Sequence, residues 1–248
     1  MEQFTIQIAG QIISVSALYR STMKYCHAYL CQANPDFSVQ LTPQDIAIEQ
    51  EIANQERTIE CLPIKKIDER LLERTALQRK IAEKLFEYDT LLLHGSVIAV
   101  NGEGYLFTAR SGTGKSTHTR LWREMLGERA VMVNDDKPFL RVMADGIYVC
   151  GSPWNGKHGL GCNIDVPLKS ICVLERGEHN EIFQISANQV VSMLLQQSNR
   201  PQQPNLLPKY LELLEGIANK VVFYRLKCNM NPEAALISYQ TMSGNAKE

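Results

Sequence analysis

The sequence predicts an α/β fold. Short apolar and β-branched runs alternate with longer segments whose apolar residues recur every three or four positions, the pattern of strands and helices. The run at residues 105–108 leads directly into a glycine-rich turn, and a helical pattern begins at Ser116. A glycine-rich turn between a strand and a helix is typical of α/β domains that bind phosphate groups.

Composition narrows the class of protein. The 248 residues are 44% hydrophobic with a formal net charge of -1, so we expect one large domain, or one domain with a small appendage. No basic stretch indicates a nucleic-acid partner or a membrane surface. The seven cysteines include no CxxC pair, and this odd number favours reduced thiols. With no recognisable signal peptide or membrane-spanning stretch, we expect a soluble cytoplasmic protein.

We divide the chain into three regions. Residues 1–89 are expected to form an α+β region packed on the core, residues 90–186 the nucleotide-binding core, and residues 187–248 a mainly helical region of the same domain. No motif specifies the oligomeric state, and a homo-oligomer is one alternative.

The N-terminal region is predicted to begin with a hairpin, since two β-rich runs flank Ala9 and Gly10. A helix capped by Ser21 is expected to carry Tyr25, Tyr29 and Leu30. A strand then follows at residues 37–41, and the pattern from Thr42 to Asp45 predicts a capped helix start. A long helix from Asp68 is predicted to bury the stripe Leu77, Ile81, Leu85 and Tyr88. Its basic residues are expected on a solvated face, namely Arg70, Arg74, Arg79 and Lys80.

The C-terminal half carries a series of shorter elements. Residues 139–143 and 147–149 are predicted to form a hairpin. Gly127 is predicted to end the helix that begins at Ser116. The remaining predictions are strands at 169–174 and 181–185 around a turn at 176–178, a helix capped by Ser186, a helix at 206–218, a strand at 221–226, a last helix opened by residues 231–233, and frayed residues 243–248.

The glycine-rich turn has the pattern of a P-loop, in which backbone N–H groups and a helix N-terminus surround a phosphate. The predicted nucleotide contacts are Ser111, Gly112, Thr113, Gly114, Lys115, Ser116 and Thr117. Lys115 would contact the β- and γ-phosphates and Ser116 would bind Mg²⁺. Ala109 stands where the pattern has glycine. The alternative is a structural turn with an incidental lysine.

Two adjacent carboxylates follow the next apolar run, at Asp135 and Asp136. The strand that follows a P-loop helix can place carboxylates across the nucleotide site from the P-loop, where they can bind Mg²⁺. One aspartate would hold the metal and the other would accept a hydroxyl proton. Both can reach one site only if the strand ends there, because adjacent strand residues point to opposite faces. An acidic turn without function is the alternative.

Two further segments carry candidate site residues. His94 precedes the first strand of a hairpin that leads into the P-loop, and taken by itself it favours a structural role. Residues 151–166 form an irregular loop with Lys157 and His158, whose positive charge would stabilise a transferring phosphoryl group. The alternative for this loop is a structural wrap with Trp154 packed inward.

Residues 94–96, 111–116, 135–136 and 159–165 together resemble the catalytic domain of HPr kinase/phosphorylase, which is related to the nucleotide core of phosphoenolpyruvate carboxykinase. The resemblance covers roughly residues 90–176. It implies a P-loop fold with a mixed β-sheet flanked by helices, and a serine-hydroxyl kinase that uses ATP and Mg²⁺. It also implies that Lys115, Asp135, Asp136 and His94 are catalytic and that Ser116 and Asp136 bind metal. No counterpart of that family's N-terminal domain occurs in residues 1–90, so the implied acceptor is a small molecule or peptide rather than HPr.

The sequence thus favours an ATP-dependent kinase that phosphorylates a hydroxyl, most simply serine, of a small molecule, peptide or protein. Two alternatives remain open. One is a nucleotide-binding sensor or partner module without turnover, and the other is a phosphorylase in which inorganic phosphate attacks a phosphoserine. No motif identifies the acceptor.

Overall fold

The computed structural model describes residues 1–244, which divide into two compact units, one comprising Met1–Lys84 and the other beginning at Leu85. The first unit contains β1 (Glu2–Ile8), β2 (Gln11–Ala17), α1 (Arg20–Tyr25), β3 (Phe37–Gln40), α2 (Pro43–Ile59) and most of α3 (Glu69–Leu85). The second contains β4 (Thr90–Leu92), β5 (Ser96–Val100), β6 (Glu103–Thr108), α4 (Lys115–Leu126), β7 (Ala130–Asn134), β8 (Phe139–Met143), β9 (Gly146–Cys150), β10 (Asp165–Arg176), β11 (Glu181–Ile185), α5 (Ala187–Gln197), α6 (Leu207–Lys220), β12 (Val222–Cys228) and α7 (Glu233–Ser243). Of the residues expected to fray, Ser243 ends α7, and residues 245–248 lie outside the described part.

The first unit is built on a sheet in the order β1-β2-β3. The predicted N-terminal hairpin is confirmed, because β1 and β2 pair antiparallel through a turn in which Ala9 and Gly10 have positive φ angles. β3 then pairs parallel with β2. The predicted cap of α2 is also confirmed, since Thr42 and Asp45 form a reciprocal capping box.

The prediction for α1 is wrong. Ser21 lies inside the helix, its hydroxyl is buried without a partner, and the helix ends at Tyr25. Tyr29 and Leu30 lie beyond it, in a 3₁₀ turn and in an isolated bridge to β1. The N-terminus of α1 is instead capped by the buried carboxylate of Glu73 on α3, which accepts hydrogen bonds from the backbone N–H groups of Leu18 and Tyr19.

The buried stripe of α3 is confirmed for Leu77, Ile81 and Leu85, whereas Tyr88 lies in a 3₁₀ turn after the helix ends. The prediction that its basic residues cover a solvated face holds only for Arg70. The Arg79 side chain is 16% exposed and pairs with Glu49, and Lys80 pairs with Asp45. The Arg74 guanidinium lies over the Tyr25 ring. These basic side chains are less exposed than predicted because they contact carboxylates and an aromatic ring of other segments. The periodicity of a helix does not reveal such partners.

Within the described residues the second unit has one curled, mixed sheet with the path β4-β8-β9-β10-β6-β5-β7. β12 also pairs with β10, in parallel, and β11 pairs antiparallel with β12. The twelve residues of β10 produce the curl, because its first residues pair with β9 and its later residues pair with β6 and β12. The mixed sheet with flanking helices therefore agrees with the α/β class expected from the sequence.

Alternate residues of the central strands supply two apolar cores, one on each face of this sheet. Val97 and Ala99 of β5 belong to the core that includes α5 and α6. Ile98 and Val100 of β5 belong to the other core, which includes α4 and α7. Every residue of β5 is buried, as expected for a strand covered by helices on both faces.

Most local predictions for the second unit are confirmed. The β8–β9 hairpin, the C-cap at Gly127 and the capping box at Ser186 are all present. β10 and β11 do lie on either side of the predicted turn at Arg176, but they do not pair with each other in the described sheet, because β12 lies between them. The C-terminal region thus contributes an internal strand of the sheet as well as helices. In the described residues, no helix is long and apolar enough to cross a membrane.

α4 is fixed to α7 by a buried polar contact. The Ser238 hydroxyl accepts a hydrogen bond from the Trp122 indole N–H and lies 3.1 Å from Nε2 of His118. Trp122 is fully buried against Phe107 and Tyr239. Burial lowers the pKa of His118 to about 4, so its ring stays neutral and serves packing. The helix that follows the glycine-rich turn therefore has a fixed position.

This burial predicts a specific pH dependence of stability. Because the pKa of His118 falls from 6.5 to about 4 on folding, protonation of the unfolded chain removes stability as the pH falls below 6.5. Between pH 7 and pH 5 we expect a loss of about 2 kcal/mol from this residue. The free energy of unfolding is measured in urea at both pH values for the native chain and for His118→Gln. The native chain should lose more stability than the variant, by the amount given above. His179→Gln, which changes an exposed histidine, is the matched control. Equal pH slopes for the native chain and His118→Gln would contradict the assignment.

Candidate functional site

The strand order brings three chain segments to one edge of the sheet. β5 pairs antiparallel with both β6 and β7, so the carboxyl ends of β6 and β7 lie on either side of the beginning of β5. The glycine-rich turn follows β6, the two aspartates follow β7, and His94 precedes β5. β10 and β12 run parallel to β6, so their carboxyl ends reach this edge too. The carboxyl ends of strands are where ligands bind in open α/β sheets.

The glycine-rich loop, residues 109–114, needs glycine at two positions. Gly112 and Gly114 have φ angles of 76° and 123°, which side chains with a Cβ rarely adopt. Ala109 does not have a positive φ angle, so its methyl group is accommodated there without backbone strain. Gly114 is the N-cap of α4 and no side chain caps that helix, so the N–H groups of its first turn are available to an anion.

Lys115 is the buried cation of this site, with 8% of its surface exposed. Its ammonium donates a hydrogen bond to the Ala109 carbonyl oxygen of the same loop at 3.1 Å. Within residues 1–244 no carboxylate lies within 4.0 Å of it. Burial lowers the pKa of Lys115, the charge of Asp136 opposes this shift, and neighbouring Lys137 adds to it. The loop therefore holds a positive charge that has no direct counterion among the described residues.

The turn after β7 is held by the side chain of Asn134, which is fully buried. Its Oδ1 accepts hydrogen bonds from the backbone N–H groups of Asp136 and Lys137, at 2.8 and 2.7 Å. Its Nδ2 donates to Ser152 on the loop of residues 151–164. Because the strand ends at Asn134 and the chain turns, Asp135 and Asp136 are both found at this edge, as the prediction required.

Asp135 is 6% exposed and closely surrounded. Its Oδ1 accepts a hydrogen bond from the Ser96 hydroxyl at 2.8 Å. On its other side lies Gly156, where an added Cβ would lie 2.8 Å from Asp135 Oδ2. Glycine at position 156 therefore permits the loop to lie against this carboxylate, and any larger residue would displace one of the two.

Asp136 pairs with His94, whose Nε2 lies 3.3 Å from Asp136 Oδ1. Burial alone would raise the pKa of Asp136, but the His94 hydrogen bond and the charges of Lys137 and Lys115 more than offset it, so the pKa lies below its usual value. The His94 ring is oriented by Gln197, the last residue of α5, whose side-chain oxygen lies 3.0 Å from Nδ1. The backbone N–H of His94 also donates to the Gln197 carbonyl oxygen.

Two clefts open beside the N-terminal part of α4. The first, here the acid-side cleft, has a volume of about 450 Å³. It is lined by Ser116, Thr117, Thr119, Arg120, Arg123, Met132, Asp135, His158 and Leu160. The second, here the β12-side cleft, has a volume of about 520 Å³. It is lined by Gly112, Thr113, Gly114, Thr117, His118, Leu121, Leu174, Arg176, Gly177, Cys228, Asn229 and Met230.

Most of the predicted site residues meet at this sheet edge. Ser111, Gly112 and Ser116 are exposed, whereas Thr113 and Thr117 are half-buried. Lys157 is exposed and does not line either cleft, so its predicted phosphate contact remains a prediction, while its neighbour His158 lines the acid-side cleft. Trp154 is buried, which agrees with the structural alternative for its part of the loop.

Six residues orient the predicted ones and were not themselves predicted to belong to the site: Ser96, Asn134, Ser152, Gly156, Arg176 and Gln197. Arg176, for example, donates from Nη2 to the Gly112 carbonyl oxygen at 2.7 Å and ties the loop to the end of β10. An amide directly before two aspartates at a strand end was the one available local signal for Asn134. Nothing near Gln197 in the sequence indicates that it contacts His94.

The oxygen donors at this edge suit a hard cation better than a soft one. They are the exposed Ser116 hydroxyl and the carboxylates of Asp135 and Asp136. In residues 1–244 no group of three or more histidine, cysteine or acidic side chains is arranged to hold a metal. A few oxygen donors completed by water and phosphate oxygens are what Mg²⁺ accepts. The donor set therefore fits Mg²⁺ held jointly with a phosphorylated ligand.

The His94–Asp136 pair generates a test that does not depend on activity. In His94→Leu, Asp136 loses a hydrogen bond and a source of positive charge, so its pKa should rise. Gln197→Leu should raise it as well, but less, because the ring remains while its orientation is lost. Carboxyl-carbon NMR titration of Asp136 measures both shifts, and Gln196→Leu, at an exposed neighbour, is the matched control. An unchanged Asp136 pKa in His94→Leu would contradict the described pairing.

Known proteins include a family whose model matches this chain and solved structures that resemble it distantly. A family model described as SynChlorMet cassette protein ScmC matches residues 58–231, which include every site residue described above. No curated protein matches the chain. Among solved structures, the Hpr(Ser) kinase/phosphatase from Coxiella burnetii has 13% sequence identity and a TM-score of 0.36. That match covers 62% of this chain and 95% of the other, and a likeness this low assigns no activity.

Proposed function

The chain belongs to the ScmC family, and we propose that it is an ATP-dependent phosphotransferase that uses Mg²⁺ and phosphorylates a hydroxyl group, with serine as the simplest acceptor. The observation that carries this proposal is the buried Lys115 ammonium at an uncapped helix N-terminus. It has no direct counterion among residues 1–244, and the charges of Asp135 and Asp136 act on it. The sequence resemblance to HPr kinase/phosphorylase catalytic domains supports the same reading, including a P-loop fold of that kind.

In this proposal the glycine-rich loop and the first N–H groups of α4 bind the β- and γ-phosphates, and Lys115 exchanges its contact with the Ala109 carbonyl for a phosphate oxygen. The β12-side cleft would take the nucleoside part, because it begins at the loop and continues to the apolar side chains of Leu174 and Met230. The acid-side cleft lies on the Asp135 side and would take the acceptor.

The two aspartates would have different roles. Asp136 has a lowered pKa, so it stays ionised and would hold Mg²⁺ together with the Ser116 hydroxyl. Bound there, the metal would neutralise charge on the phosphates. Asp135 lines the acid-side cleft and would accept the acceptor's hydroxyl proton as the oxygen bonds to the γ-phosphorus and the bond to ADP breaks. His94 would orient Asp136.

Replacement of Lys115 tests the phosphate-binding role. Lys115→Ala should lower turnover on the order of a hundredfold or more, since transfer depends on positioning and charge stabilisation. The measurement is ADP formation with free serine, threonine and serine-ended peptides as acceptors. Lys169→Ala, which removes an exposed lysine paired with Glu103, is the control. Equal turnover in Lys115→Ala and the native chain would refute the assignment. ATP binding without transfer to any acceptor would favour a nucleotide sensor, and pyrophosphate release from a phosphoserine substrate would reveal a phosphorylase.

The two acids can be separated by isosteric amide variants. Asp135→Asn should lose turnover while it retains Mg²⁺-dependent ATP affinity, because the proton acceptor is lost and the metal ligand is not. Asp136→Asn should weaken the Mg²⁺ dependence of ATP binding. Calorimetric titration of ATP with and without Mg²⁺, together with turnover, measures both effects. The reverse pattern would exchange the two roles, and no effect of either variant would place the chemistry elsewhere.

A further inference from the structure

Two arginines on α4 line the acid-side cleft together with Ser116 and Asp135. Ser116, Arg120 and Arg123 are spaced by four and three residues, so they lie on one face of the helix. The helical rise places Arg120 about 6 Å and Arg123 about 10 Å along the axis from Ser116. The guanidinium groups are therefore within a short molecule's length of the proposed phosphoryl-transfer position.

Arg123 differs from Arg120 in having no ion-pair partner among residues 1–244. Arg120 is paired with Glu124 at 2.8 Å, and both side chains are more than half exposed. Arg123 is half-buried, its Nε is buried without a hydrogen bond, and no acidic side chain of the described residues pairs with it. The Nη groups of Arg123 are not among the buried unpaired atoms, so they can donate two parallel hydrogen bonds to a ligand carboxylate, which would also supply the missing counterion.

The charge in the cleft points to the same ligand class. Its lining contains two guanidinium groups, those of Arg120 and Arg123, and one carboxylate, that of Asp135. Asp135 is already engaged by the Ser96 hydroxyl and lies against Gly156. The cleft thus combines a proton acceptor at one end with an unpaired positive charge farther along α4, which suits a molecule with a hydroxyl and a carboxylate a few bonds apart.

We propose that the acid-side cleft binds a hydroxy acid and that Arg123 recognises its carboxylate, so that the acceptor is a free hydroxy acid or amino acid, or a serine whose carboxylate is free. This inference rests on the proposed function for the identity of the cleft as the acceptor site. Arg120 reinforces the positive charge, but its pairing with Glu124 makes it the lesser contributor.

Binding without turnover tests the proposal. The chain, held with a non-hydrolysable ATP analogue and Mg²⁺, is titrated calorimetrically with D-glycerate and L-serine, and with glycerol and L-serinamide, which lack the carboxylate. We expect the carboxylates to bind more tightly than the analogues without a carboxylate by roughly tenfold to a hundredfold, the value of one charged hydrogen-bonded contact. Arg123→Gln should abolish that preference and Arg123→Lys should restore part of it. Arg129→Gln, at an exposed arginine just after α4, should leave it intact.

Several results would overturn the inference. One is equal affinity for ligands with and without a carboxylate, and another is failure of both carboxylates to bind. A third is an Arg123→Gln variant that keeps the preference. The last is an Arg123→Gln variant that loses ATP affinity, which would assign the guanidinium to the nucleotide. The proposed function fails separately. If carboxylate binding depends on Arg123 but no phosphoryl transfer occurs, the anion site stands and the kinase activity does not. If transfer depends on Lys115 but is indifferent to the carboxylate, the kinase stands and the anion site does not.

Discussion

The placement of β5 between β6 and β7 is the constraint on which the site depends. Both neighbours run antiparallel to β5, so the chain leaves β6 and β7 at the edge where β5 begins. The strands cannot slide, because alternate residues of β5 fill two different cores and a shift of one residue would exchange every buried contact. The loop, the acids and His94 are held together by this packing rather than by direct bonds among all of them.

Short polar contacts then refine the positions that the sheet provides. Asn134 ends β7 and closes the turn on the backbone of Asp136, while Ser96 at the start of β5 holds Asp135. Gln197 reaches the same edge from α5 and orients His94. Each contact comes from an element already fixed by an apolar core. Buried polar groups that are satisfied in this way make an arrangement rigid, whereas a missing partner would leave a costly unpaired group.

The charges at this edge are left partly uncompensated. The pKa of Lys115 is lowered by burial and that of Asp136 is lowered mainly by His94 and the neighbouring lysines, against its burial. Arg123, which lines the acid-side cleft, has no ion-pair partner in the described part of the chain. Sites that bind charged ligands commonly keep such groups, because a fully neutralised site would gain little from the ligand. The same feature underlies both the proposed phosphate site and the proposed carboxylate site.

The sequence by itself determined the local features of this protein. The strand, glycine turn and helix from residue 103 to 126, the capping boxes at Thr42 and Ser186, and the end of β7 at the acids were all predictable, since each depends on neighbouring residues. Only the tertiary structure decided that Glu73 caps α1, that β12 separates β10 from β11, and that Gln197 holds His94. Those contacts join residues far apart in the chain, and their partners are selected by the packing of whole elements, which no local pattern records.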